Sequence, residues 1–131
     1  MTKCGAWPHT QPRRPAGNLD ILVNNAATLL MPTPTADVAE QVLTEAFAVN
    51  VFAPLLLTGL IAPEMARRGR GAIVNIGSIK GLRGASGSAV YSADKAAIHS
   101  FTKSWADEYG PSGYWKRWGL ILSWRTWWGA S

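Results

Sequence analysis

The stretch Ile73-Val74-Asn75-Ile76-Gly77-Ser78, a glycine-punctuated connection, and Tyr91-Ser92-Ala93-Asp94-Lys95-Ala96-Ala97 decide the fold. The first segment is a short apolar run bounded by glycine, the pattern of a buried strand. The last opens a pattern rich in alanine and spaced for a helix, running from about Ala89 to Tyr109. Tyr91 and Lys95 are four residues apart, so on a helix they stack on one face, a turn from each other. An ammonium within roughly 4–6 Å of a phenol favours its ionised form. The pair is therefore a candidate general acid/base. Ser78 follows the strand directly, where its hydroxyl can donate to a substrate oxygen as charge develops. On an arbitrary helix the same spacing describes a packing tyrosine beside a solvated lysine, so the neighbouring segments have to decide.

Upstream, Leu19-Asp20-Ile21-Leu22-Val23-Asn24 is a second apolar run, followed by Asn25-Ala26-Ala27. Both runs read as strands buried on both faces. Small residues past a strand end let a backbone or ligand approach closely. Between the strands, Ala36 to Arg68 is helical in pattern, with Val38, Val42, Leu43, Phe47, Val51 and Leu55 at helical spacing. Asp37 and Glu40 suit the first turn, and Arg67 and Arg68 the last. Gly69 and Gly71 supply the stop. Pro54 has no N–H, so the carbonyl of Asn50 loses its helical partner and the helix should kink. Asn50 reads either as a helix-break residue or as the anchor of a proton-relay water. Strand, helix and strand together make a parallel βαβ unit, and ligands of open α/β sheets bind at the carboxyl ends of the strands. Asn24 and Ser78 lie at such ends.

Composition narrows the classes. The chain has 131 residues, 47% of them apolar, enough for one domain with a core. Its net charge of +5 divides into +3 over residues 1–18, −1 over 19–110 and +3 over 111–131. The excess therefore sits at the two ends and not on the body, which argues against a nucleic-acid surface. A single cysteine, Cys4, excludes an internal disulfide framework and implies a reducing, cytoplasmic setting. Apolar runs fall short of the roughly 20 residues of a membrane helix. The chain should not engage a membrane, and no residue set suggests a metal. His99 continues the Tyr91–Lys95 face two turns on and reads as a surface or interface residue. Residues 1–17 are irregular and proline-rich. Residues 114–131 hold five of the seven tryptophans, and Gly119 to Trp124 could form a strand.

Taken together, these elements resemble the short-chain dehydrogenase/reductase family. The resemblance rests on Asn24-Asn25-Ala26-Ala27, on Asn50 within Phe47-Ala48-Val49-Asn50-Val51, on Ser78 after Ile73 to Gly77, and on Tyr91-x-x-x-Lys95. It covers residues 18–113, flanked by a non-matching segment 1–17 and a non-matching tail 114–131. It implies an α/β fold, part of a Rossmann-like doubly wound parallel sheet: the C-terminal half, with the first βαβαβ missing. By that resemblance the chain is an oxidoreductase using NAD or NADP on a small-molecule alcohol or carbonyl substrate. Tyr91 would be the acid/base and Ser78 would polarise the carbonyl. Lys95 would bind the nicotinamide ribose and tune Tyr91, and Asn50 would hold the relay water. Asn24 and Ala26 would flank the cofactor, and the two long helices would build a homo-oligomer. The family's glycine-rich phosphate loop has no counterpart here, nor does the residue that selects NAD or NADP. Without that loop, no measurable cofactor binding is expected. Both discrepant ends are read as reading-frame or gene-model artefacts around a genuine central fragment. The rival reading is a non-enzymatic truncated remnant, inert or oligomerising.

Overall fold

The computed structural model describes residues 18–110 and, as backbone, 119–122. Strand β1 is Ile21–Asn24, β2 is Ala72–Gly77 and β3 is Gly119–Leu122. Helix α1 spans Glu40–Phe47, α2 Ala53–Arg68 and α3 Ala89–Tyr109. The strands form one parallel sheet in the order β1-β2-β3, with Val23 opposite Val74 and Asn75 opposite Leu120. The tryptophan-rich tail thus supplies a third strand to the sheet.

The helical pattern read from Ala36 begins later. Thr35–Asp37 makes a single 3-10 turn, Val38 and Ala39 are extended, and α1 opens at Glu40, whose carboxylate suits the positive end of a helix. The disturbance expected at Pro54 takes the form of a π-turn over Ala48–Phe52. There the Ala53 N–H reaches back to the carbonyl of Ala48, and the helix continues into α2. Gly69 ends α2 in the left-handed conformation, φ 65°, with Arg67 and Arg68 in the last turn. Arg68 also reaches the start of β1, donating to the Asp20 carboxylate at 2.9 Å.

Neither β1 nor β2 is buried on both faces. Burial alternates along β2, where Ile73 and Asn75 are fully enclosed. Thr58 of α2 meets Asn24 of β1, and Thr102 of α3 meets Asn75 of β2. Asn24 and Asn75 are register partners on one face, so both helices cover that same face. The opposite face remains open among the described residues: Ile21 is 61% exposed and Val23 52%. A buried apolar cluster is formed by Ala62, Met65 and Ile73, with Leu22 and Tyr109 packed against it.

The continuous helix Glu40–Arg68, 29 residues, is long and apolar enough by length and composition to cross a membrane. Polar residues such as Asn50 and Thr58 lie within it, which is why no uninterrupted apolar run marks it. Core helices of sheet proteins pass the same test, and Ala46, Val51, Ala62 and Met65 are buried here.

Candidate active site

The site grows from the carboxyl end of β2. The carbonyl of Ile76 accepts the Lys95 ammonium at 3.3 Å. Two residues on, Ser78 leaves the strand in an extended conformation and caps the turn Ile79–Gly81, its Oγ accepting the Lys80 N–H at 3.2 Å. That turn lies against α3 itself: a Cβ on Gly81 would come within 2.6 Å of the Lys95 main-chain carbon. Only a residue without a side chain fits there. The Ser78 N–H donates to His99 Nε2 at 3.3 Å.

His99 is 4% exposed, which corrects the surface reading. Helical spacing put it on the face of Tyr91 and Lys95, but that face turns inward onto β2. Burial, then the charges of Lys103 and Lys95, push its pKa down. A neutral ring that accepts through Nε2 carries its proton on Nδ1, which is buried without a partner among the described residues.

On α3 the Lys95 ammonium lies 5.7 Å from the centroid of the Tyr91 ring, as the four-residue spacing predicts. Lys95 is 6% exposed. Burial lowers its pKa, and the neighbouring Asp94 carboxylate works in the opposite direction. Asp94 is fully buried, and burial raises its pKa against the hydrogen bond from Asn50 and the charge of Lys95.

Asn50 sits in the π-turn with its side chain fully committed. Its Oδ1 accepts the Thr28 N–H at 2.7 Å, and its Nδ2 donates to the Thr28 carbonyl at 3.1 Å and to Asp94 Oδ2 at 2.7 Å. It therefore ties the loop after β1 to α3. Asn24 is also a bridge: its Nδ2 donates to Asn75 Oδ1 at 2.8 Å, and Asn75 Nδ2 donates to Thr102 Oγ1 at 3.0 Å.

Tyr91 and Lys95 thus come together at the end of β2, with the Ser78 turn laid against the same stretch of α3. Asn50 reaches this group through Asp94. Asn24 and Ala26 line a different hollow of about 220 Å³, shared with Ala48, Pro54 and Leu57. Tyr91 lines a cleft of about 330 Å³ under the loop that follows β1. Asp94 and Asn75 were not singled out from the sequence, and His99 was read only as a surface or interface residue. Asn75 carried a signal, an amide inside an otherwise apolar strand, since such residues are rarely buried without a partner. No cluster of three or more metal-ligating side chains occurs among the described residues.

Comparison with known proteins bears on the family and the fold. The family model for short chain dehydrogenases matches residues 10–114. Human dehydrogenase/reductase SDR family member 4 is 38% identical over 95 residues, 72% of this chain and 34% of the relative. Cyclopentanol dehydrogenase of Comamonas is 40% identical over 93 residues, covering 71% and 37%. Among solved structures, ElxO with NADP bound superposes with a TM-score of 0.71 at 32% identity, covering 75% of this chain and 40% of that one. A 4-hydroxyisoleucine dehydrogenase complexed with NADH gives 0.65 at 34% identity, covering 71% and 41%. The chain spans about a third of the length of the curated relatives it matches.

Proposed function

The chain belongs to the short chain dehydrogenase family, and from that premise we propose that it carries the proton-transfer apparatus of an alcohol–carbonyl oxidoreductase. The cofactor class is NAD or NADP, which supplies or accepts the hydride when bound. The observation that carries the reading is the Lys95 ammonium, held on the Ile76 carbonyl and 5.7 Å from the Tyr91 ring.

In reduction, the Tyr91 phenol gives its proton to the carbonyl oxygen of the substrate; in oxidation it takes the proton back. Lys95 offsets the negative charge left on Tyr91. Ser78 uses an oxygen lone pair to cap its own turn, which leaves its hydroxyl proton free for the substrate oxygen. Asn50 fixes the loop at Thr28 and the carboxylate before Lys95. Its main-chain carbonyl, which Pro54 cannot satisfy, is the proposed seat of a relay water.

Tyr91, Lys95 and the small residues Asn24 to Ala26 suit the nicotinamide-riboside end of the cofactor. Among the described residues no Gly-x-Gly-x-x-Gly turn opens a helix to receive a pyrophosphate. The expected binding is accordingly weak, with Kd no tighter than about 1 mM, and similar for the dinucleotide and for nicotinamide mononucleotide. A cytoplasmic setting belongs to the same proposal, since Cys4 is the sole cysteine.

The test is turnover of small secondary alcohols by the full chain, with cofactor raised above that Kd. Tyr91→Phe should lower kcat by about 10²- to 10⁴-fold. Turnover indifferent to that change would refute the assignment. Absence of turnover with either cofactor would leave the second reading, a non-enzymatic and self-associating remnant. One observation favours it: the long helix exposes Phe52 and Leu56, each to 50%.

A further inference from the structure

The cleft over Tyr91 belongs to the site just described but has a chemistry of its own. Its volume, about 330 Å³, is at the lower end of the range for small-molecule sites. Its walls come from three places. Leu30 and Met31 lie on the loop after β1, Val38 lies just before α1 and Val42 in its first turn, and Val90 lies in the first turn of α3. Tyr91 brings the phenol.

The cleft is built, since its two rims are bonded to each other. The Thr33 N–H donates to the Gly87 carbonyl at 2.8 Å. Gly87 holds a left-handed φ of 69°, and a Cβ there would lie 3.1 Å from the Thr33 nitrogen. A glycine at this point lets the loop after β1 close against the loop before α3.

Charge decides what such a cleft admits. Among the described residues lining it, Asp37 is the only one that carries a charge, and the charge is negative. Thr33 and Ser88 offer hydroxyls. The Lys80 ammonium is engaged on the Ser88 Oγ at 3.3 Å and is not part of the walls. A carboxylate or phosphate entering here would lose water, find no cation among the described walls, and face a carboxylate. A carbonyl or hydroxyl needs only one donor or acceptor, which Tyr91 provides.

On the reading given under Proposed function, we infer that this cleft takes a small, neutral, largely apolar alcohol or ketone and rejects acid-bearing ones. The probes are cyclohexanone and cyclohexanecarboxylate, each titrated into the isotope-labelled full chain and followed by the backbone amide resonances of Val42, Gly87 and Ser88. The ketone should shift these signals saturably, and the carboxylate should bind at least about tenfold more weakly, a difference of about 1.4 kcal/mol. Val42 is 43% exposed, so Val42→Asp is tolerated by the fold. It should abolish the ketone response. Asp37→Lys should raise the affinity for the carboxylate while leaving the ketone largely unaffected.

Equal binding of the two probes, ketone shifts that survive Val42→Asp, or no saturable ketone response at all would overturn the inference. Tyr91→Phe separates it from the catalytic reading. The ring remains in the wall, so ketone binding should persist within a few-fold while turnover disappears. A wild-type chain that binds the ketone without turning it over keeps this assignment and loses the catalytic one.

Discussion

Asn50 donates its side-chain amide to Asp94 at 2.7 Å, joining the π-turn of the long helix to the residue that precedes Lys95. Both groups are buried, at 2% and 0% exposure, and the second Asp94 oxygen has no partner among the described residues. Asn50→Leu strands a buried carboxylate and two main-chain groups of Thr28, at an expected cost of about 2 kcal/mol or more in urea unfolding. A carboxylate whose pKa is raised on folding contributes stability that is complete below its ordinary value near 3.8 and is lost as pH rises through the raised value. The fall should steepen in Asn50→Leu and flatten in Asp94→Asn, read from urea midpoints between acid and neutral pH.

Lys95 is a buried ammonium retained at an energetic cost. Burial depresses its pKa, so its linkage term is favourable above the ordinary amine value of 10.5 and is lost as pH falls through the folded value. Lys95→Met removes that cost but leaves the Asp94 carboxylate and the Ile76 carbonyl without their cation, so its stability relative to the wild type should improve as pH falls from 10.5 towards neutrality. The same change should reduce turnover by about 10²-fold or more. Calorimetric unfolding across that pH range, beside the alcohol assay, tests the pair of outcomes; a stability difference that does not change with pH would contradict the account.

His99 gives the opposite slope on the acid side. Its pKa is depressed by burial and by Lys103 and Lys95, so its contribution is present above about pH 6.5 and is lost as pH falls through the folded value. Wild-type stability should drop over that window. His99→Gln, which still offers an acceptor to the Ser78 N–H, should remove the slope. An unchanged slope in the variant would mean another group is responsible.

Gly81→Ala tests the contact that seats the Ser78 turn on α3. Its Cβ would meet the Lys95–Ala96 peptide at 2.6–2.8 Å, and main chain cannot yield as a side-chain tip does. The expected cost is about 1–3 kcal/mol, accompanied by loss of activity from displacement of Ser78. Gly84→Ala, with nothing within 4 Å of the new atom, is the control and should be close to neutral.

Legibility followed the range of the forces. The Gly69 stop, the arginines before it, the span of α3 and the Tyr91–Lys95 pairing all depend on residues within a turn or two, and each lies where local spacing placed it. The uncovered face of β1, the inward turn of His99 and the Asn24–Asn75–Thr102 chain depend on which distant elements become neighbours. Single-residue patterns carry no record of that. Pro54 was legible as a disturbance, yet the helix absorbed it in a π-turn, because continuing into α2 keeps Ala62 and Met65 packed on Ile73.

The side of β1 that, among the described residues, leaves Ile21 and Val23 turned to water links folding to mass action. Oily area of that kind is a sticky seam, and two copies that meet along it would gain stability neither has alone. Melting temperature should then climb with protein concentration, so a value taken at one dilution would describe an encounter between molecules rather than a property of one.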